Sequence, residues 1–321
     1  MNVDLILENL FSPPILFFMA GLLAVVVRSD LEIPREVARF LSIYLLFSIG
    51  LKGGMELSHG DDLQSMLIPL GLAIAFSVIV PLYTFFILKK KFNAFNAGAI
   101  AATYGSVSAV TFVTAVSFLQ QGGISFGGHM IAALALMESP AIVVGVILIR
   151  RYQDRSKPSR MRYIFKEALT NGSVFIILVS LIIGMVISDH QYEAIAPFSE
   201  NLFKGILTLF MLDMGLLAGK RIAALKTRGG FLVLFSILIP LINALACMLI
   251  CPALGVSLGN AFLLTILAAS ASYIAVPAAM RMAVPQANPG IYVPMSLGIT
   301  FPLNIIIGIP LYFSILQYLY S

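Results

Sequence analysis

Ten stretches of this chain are apolar over the length that a lipid bilayer demands: roughly 12–28, 37–52, 65–88, 97–120, 128–150, 171–188, 197–218, 229–254, 261–284 and 290–318. A hydrocarbon core about 30 Å thick is crossed by about 20 residues of helix. Lipid offers no hydrogen-bond partner to an open strand edge, so such runs read as helices. Composition agrees. The 321 residues are 60% hydrophobic and 11% charged, against about 25% charged in a soluble domain. The expected fold is an all-α membrane protein with ten spans, and no soluble domain fits between them. The start, Met1 to Leu10, carries Asp4 and Glu8 and no Lys or Arg. It therefore lacks the basic n-region of a cleaved signal peptide, and the first apolar run is expected to stay in the protein.

The charges report orientation. Of the 20 Lys and Arg, all but Lys52 and Lys204 fall on one side of the ten-span layout. The positive-inside rule makes that side cytoplasmic and places both termini outside, in a cell (inner) membrane. The basic cluster Arg150–Lys166 is thereby explained without nucleic acid; anionic lipid or a cytoplasmic partner suits it better. Cys247 and Cys251 lie four apart on one helix face with no His or acid beside them. They read as apolar fillers rather than a disulfide or a metal site.

The chain also repeats itself. Ser106-Val107-Ser108 is echoed by Ser270-Ala271-Ser272, and Asn96-Ala97 by Asn260-Ala261. Gly50 to Gly54 is echoed by Gly215 to Gly219, Glu138-Ser139-Pro140 by Thr300-Phe301-Pro302, and Ser29-Asp30 by Ser188-Asp189. Order and spacing are kept throughout. Residues 1–165 and 166–321 are read as two halves of five spans each. An odd number of spans forces the halves into opposite orientations, so the repeat is inverted, as in many transporters.

Ser106 lies about nine residues into the fourth span, about 14 Å deep at 1.5 Å per residue, near the bilayer midplane. Ser270 and Ser272 lie at the matching depth of the ninth span, followed by Val276-Pro277. Gly105 and Pro277 mark both spans as discontinuous. Serine caps helix N-termini well, and such a terminus favours small anions. Small-residue helix packing is the competing reading of one such segment; two at one depth favour a site. Gly105, Ser106, Ser108, Ser270 and Ser272 are the anion-site candidates. Glu138 is the best cation ligand in the spans, because hard cations prefer carboxylate, hydroxyl and carbonyl oxygen. Thr111, Thr300 and Asn304 are further oxygen candidates. Asp213 stays open as a structural pair or a proton site. Arg281 reads as snorkelling to the cytoplasmic surface, and Asn243 as an interhelix hydrogen bond. His59, His129 and His190 are assigned nothing. No His-Glu-x-x-His, Walker or Gly-x-Ser-x-Gly pattern occurs. The chain is not expected to be an enzyme, and it carries no cofactor-binding motif.

With Tyr104-Gly105-Ser106-Val107-Ser108, Met137-Glu138-Ser139-Pro140-Ala141, Met211 to Ile222 and Ala268 to Pro289 in view, the chain resembles the sodium-dependent bicarbonate transporter family, permeases known from cyanobacterial carbon uptake. The resemblance covers nearly the whole length. It implies a five-plus-five fold akin to bile-acid symporters. Spans 1, 2, 6 and 7 would form a gate domain, and spans 3–5 and 8–10 a core domain in which spans four and nine cross. It implies bicarbonate at Gly105, Ser106, Ser108, Ser270 and Ser272, sodium beside it as the coupling ion, a homotrimer, and a PII-like regulator on the cytoplasmic face. Two residues depart from the family pattern: Tyr273 stands where an Asp is expected, and Glu138 where the fifth span would carry Asp. The expected activity is sodium-driven uptake of a small anion, bicarbonate first. A sodium/proton antiporter and a non-transporting sensor are the alternatives.

Overall fold

The computed structural model describes residues 11–58, 63–152, 172–225 and 229–321. Most of the Arg150–Lys166 linker, Lys226, Arg228, His59 and the Met1–Leu10 segment lie outside the described residues. Those described are helical, with no strand among them. The helices are α1 (Pro13–Val26), α2 (Arg35–Ser58), α3 (Leu63–Leu88), α4 (Ala94–Gly105), α5 (Ala109–Gln121), α6 (His129–Arg151), α7 (Gly172–Val186), α8 (Asp189–Ala196), α9 (Phe203–Leu225), α10 (Gly230–Ala253), α11 (Leu258–Ala269), α12 (Ala275–Ala283) and α13 (Pro289–Leu319). Two wide π-helical turns, Ser296–Thr300 and Asn304–Gly308, interrupt α13.

Seven helical stretches are long and apolar enough to cross a membrane by length and composition. Three more apolar helices, α1, α7 and α11, are shorter. Thus the chain is a multi-pass helical membrane protein, and three of its ten apolar runs hold helices below spanning length. For α11 the reason is local. It stops at Ala269, the chain runs extended through Ser270 (φ −87°, ψ 174°), and helix resumes at Ala275. The fourth run stops at Gly105, passes an extended Ser106 (φ −93°, ψ 178°), and resumes at Ala109. Pro277 sits in the first turn of α12, where its missing N–H would have had no intrahelical acceptor.

Helix α1 packs along α9, and α2 along α7. Each pair closes on two glycines. A methyl on Gly21 of α1 would overlap the carbonyl of Leu212, and one on Gly215 of α9 would overlap that of Phe18. Gly54 of α2 and Gly184 of α7 stand in the same relation to the carbonyls of Leu181 and Leu51. Small residues let helix backbones touch where lipid supplies no hydrophobic drive. Helix α3 packs on α4 and α6, α10 on α11, and α11 on α5 and α13. Phe118, Phe262 and Phe313 fill the α5–α11–α13 junction, with ring centroids 5.3 to 5.7 Å apart. Asn243 accepts a 2.6 Å hydrogen bond from the Tyr83 hydroxyl, the interhelix role expected of it. Phe17 and Met19 face outward, while Phe18 is buried against Phe301. Cys247 and Cys251 are free thiols, 3.6 Å apart.

A further contact is made twice. Asn96, near the start of α4, accepts the Asn288 N–H just ahead of α13 at 2.8 Å. Asn260, near the start of α11, accepts the Gly127 N–H just ahead of α6 at 2.7 Å.

The glycine crossings give a stability prediction. Gly54→Ala forces a methyl against the Leu181 carbonyl and should cost about 1–3 kcal/mol, the usual range for overpacking. Gly71 on α3 has open space where a Cβ would go, so Gly71→Ala should leave stability unchanged or raise it. Thermal unfolding in detergent compares the two, and equal loss in both would contradict the packing described here.

Candidate functional site

An interrupted helix leaves carbonyls at its C-terminal end and N–H groups at its new N-terminus without partners. In water such groups would be solvated; inside a membrane protein other groups must take them. Here the two interruptions satisfy each other. The Ser272 N–H donates to the Thr103 carbonyl on α4 at 2.9 Å. In the reverse direction the Ser108 N–H donates to Ser270 Oγ at 3.0 Å, and that hydroxyl donates to the Leu267 carbonyl at 2.9 Å. Thr103 and Leu267 lie three residues before Ser106 and Ser270 in their respective spans. The same bond is thus direct on one side and relayed through a hydroxyl on the other.

Each second half-helix is then capped by its own serine. Ser108 Oγ accepts the Thr111 N–H at 3.2 Å and the Thr111 hydroxyl at 2.9 Å. Ser272 Oγ accepts the Val276 N–H at 3.3 Å. The Ala269 carbonyl, at the end of α11, accepts from Asn304 Nδ2 at 2.8 Å, and Asn304 Oδ1 accepts from the Tyr312 hydroxyl at 3.2 Å. Thr300 donates to the Ser236 carbonyl at 2.8 Å and meets the Tyr104 hydroxyl at 3.0 Å. Ser106 Oγ is buried with no partner. Gly105 is wedged against the Pro81 ring and leaves no room for a side chain.

A cavity of about 30 Å³ opens beside the crossing, lined by Ser108, Glu138, Ser272 and Tyr273 together with the first residues of the second half-helices, Ala109, Val110 and Ala275. That is about the space of one water molecule. The N–H groups of Ala109 and Val110 have no acceptor within their own helix, because a first turn leaves its donors open. Glu138 is buried, and no hydrogen bond or ion pair joins it to another described residue. The sequence-derived set therefore divides. Ser108, Ser272 and Glu138 share the cavity. Gly105, Ser106, Ser270 and Thr111 are packed in or beside the breaks without lining it, and Thr300 and Asn304 belong to the hydrogen-bond network behind α11. Sequence reasoning anticipated open N–H groups at the new helix N-termini without naming residues 109–110, which carry no side-chain signature. It also gave Tyr273 no part in the lining.

The small cavity adjoins a larger one of about 740 Å³, and Ser42, Ser173, Phe210, Tyr273 and Ile274 line both. Asp213 lines the larger space, as do the exposed residues Arg39, Arg221 and Arg281. At the opposite end, Lys52 and Glu200 pair at 3.3 Å, and the gap between α2 and α5 there is about 50 Å³. Arg281, at the exposed mouth, makes no ion pair with another described residue.

A family profile described as the Na+-dependent bicarbonate transporter superfamily matches residues 13–317, nearly the whole chain. A search of curated proteins finds no match. The chain belongs to that superfamily.

The relay separates two serines that look alike in sequence. Ser270→Ala strands the buried Ser108 N–H and should cost about 1–3 kcal/mol, the penalty of an unsatisfied buried donor. Ser106→Ala removes a hydroxyl that has no partner and should be neutral or stabilising. Unfolding temperatures that fall equally for both would refute the hydrogen-bond assignment.

Proposed function

From this membership and the geometry of the crossing, we propose that the protein is a secondary active transporter that takes up bicarbonate with sodium. The observation that carries the proposal is the meeting of two interrupted helices, with open main-chain donors and a buried carboxylate facing one small cavity. The donors, at the partly positive ends of α5 and α12, suit a small oxyanion. The carboxylate of Glu138 suits a hard monovalent cation. Placed side by side, each ion lowers the cost of holding the other, so their binding is mutually enhancing. The anion contacts fall to the N–H groups at 109–110 with Ser108 and Ser272, and the remaining serines hold the breaks in shape.

The same reading takes the ten apolar runs as a five-plus-five inverted repeat, residues 1–165 and 166–321. The Asn96 and Asn260 contacts and the paired glycine crossings support it, since each contact recurs between equivalent positions with the two halves exchanged. In this reading α1, α2, α7 and α9 form the gate, and α3–α6 with α10–α13 form the core. The large cavity reaches the arginine-bearing end, which the charge distribution makes cytoplasmic, so this conformation faces inward. Uptake follows from charge. An inside-negative potential expels a lone anion, and each sodium contributes about 2.3 kcal/mol per 100 mV in the other direction. A homotrimer in the inner membrane, both termini outside, and a PII-like regulator complete the proposal.

Glu138 also favours a second reading, sodium/proton exchange, because a carboxylate in the crossing can carry either ion. Proteoliposomes decide between the two. An inward sodium gradient should drive accumulation of labelled bicarbonate, and Glu138→Gln should raise the sodium concentration for half-maximal uptake at least tenfold, about 1.4 kcal/mol. Sodium-driven proton flux without bicarbonate, or accumulation of a different anion only, would overturn bicarbonate symport.

A further inference from the structure

Asp213 occupies α9, two helical turns before the exposed Lys220 and about 10 Å from it along the axis. Its side chain is 5% exposed, and its Oδ2 is buried without a hydrogen-bond partner. No ion pair joins it to another described residue. Its neighbours in sequence are Leu212 and Met214, and the Met214 sulfur receives the Tyr273 hydroxyl at 3.6 Å. Tyr273 belongs to the interruption of the ninth run, and its ring rests on Phe301, which in turn meets Phe18 of α1. Asp213 and Tyr273 thus stand on two packing groups of helices and line one cavity, whose 740 Å³ leaves room for several waters at about 30 Å³ each.

A lone carboxylate in such surroundings is costly and calls for a compensating charge. The arginines that line the same cavity are exposed at its mouth and do not reach it. Among the described residues no three His, Cys, Asp or Glu side chains come together to hold a metal ion, so a multivalent cation is poorly served. One carboxylate, one phenol oxygen and water suit a hard monovalent cation. Glu138 lines the small cavity and Asp213 the larger one, and Tyr273 lines both.

We propose that Asp213 binds a sodium ion between α9 and the broken ninth span, with the Tyr273 hydroxyl and cavity water as further ligands, separately from the cation at Glu138. The proposal rests on the sodium-coupled reading above and extends it. A second sodium per bicarbonate makes uptake electrogenic, and the membrane potential then adds to the sodium gradient as a driving force.

Binding of ²²Na⁺ to the purified full-length protein tests it without needing any anion. The wild type should bind one more equivalent of sodium than Asp213→Asn, and Asp213→Glu should retain the full amount. An Asp213→Asn protein that binds as much sodium as the wild type overturns the site. If that variant is not monodisperse, Tyr273→Phe decides: it keeps the ring packing, removes one oxygen, and should weaken sodium binding several-fold, while unchanged binding overturns the proposal. In proteoliposomes, Asp213→Asn should bring the net charge moved per bicarbonate from one to zero. Absence of bicarbonate transport by the wild type would sink the substrate reading, yet the sodium count would still judge Asp213. Loss of sodium in Glu138→Gln alone, with Asp213→Asn unchanged, would leave the first cation and remove the second.

Discussion

Two broken helices hold each other together, and the rest of the molecule follows from that exchange. Neither break would be tolerable alone, since each leaves carbonyls and N–H groups open where lipid cannot serve them. The Thr103 carbonyl is served by Ser272, and the Leu267 carbonyl by Ser108 through Ser270. Because each break supplies what the other lacks, the crossing forms only when both are present at one depth. The bonds use carbonyls of the first half-helices and N–H groups of the second, and leave the next donors, at 109–110, without a helical acceptor in residues that line a cavity. On the proposed reading, a structural necessity thereby becomes a binding surface without any dedicated side chain.

The surroundings show where rigidity is concentrated. Asn304 ties the end of α11 to α13, Thr300 ties α13 to Tyr104 and Ser236, and aromatic rings fill the α5–α11–α13 junction. By contrast, the wall formed by α2, α7 and α9 meets the crossing across open space. Its tightest helix pairings are the glycine crossings that lock α1 to α9 and α2 to α7, and it also touches the other helices, through α9 against α13, through the Met211 and Met214 sulfurs that receive Thr114 and Tyr273, and through the Gly53 carbonyl against Gly128. The cavities interrupt that contact beside Ser108 and Tyr273.

Much of this was legible in the sequence because hydrocarbon leaves few options. Long apolar runs could only be helices, and the repeated Ser-x-Ser motif with nearby Gly105 and Pro277 marked both interruptions to within a few residues. At the glycines the echo in the sequence and the helix contacts differ. The sequence pairs Gly54 with Gly219, but the glycine that plays the part of Gly54 against a partner helix is Gly215. In a glycine-rich stretch a shift of one helical turn leaves the sequence similarity almost unchanged, whereas contact with a partner tolerates no such shift. Side-chain roles were harder again. Ser106 and Ser270 are equivalent in sequence, yet one hydroxyl bridges the two breaks and the other has no partner. Thr300 and Asn304 have the oxygen chemistry of cation ligands and spend it on carbonyls and hydroxyls behind α11. A sequence reports which groups a residue can offer, and the partner it meets depends on distances of a few tenths of an ångström.

The difference between the two serines bears on how the crossing works. If both breaks were bridged directly, as Ser272 bridges to Thr103, the two contacts would be equivalent. The Ser270 hydroxyl lengthens one bridge by an atom. Glu138 breaks the equivalence again, because the corresponding position in the second half is Thr300, which is turned into hydrogen bonds elsewhere. The carboxylate that lines the small cavity is that of Glu138, beside the first turns of α5 and α12. On the proposed reading, an anion and a cation then take neighbouring positions in one orientation, which a strictly two-fold pocket would not impose. On the proposed inverted repeat, duplication supplies the paired breaks, and departure from duplication supplies the polarity that coupling two unlike ions requires.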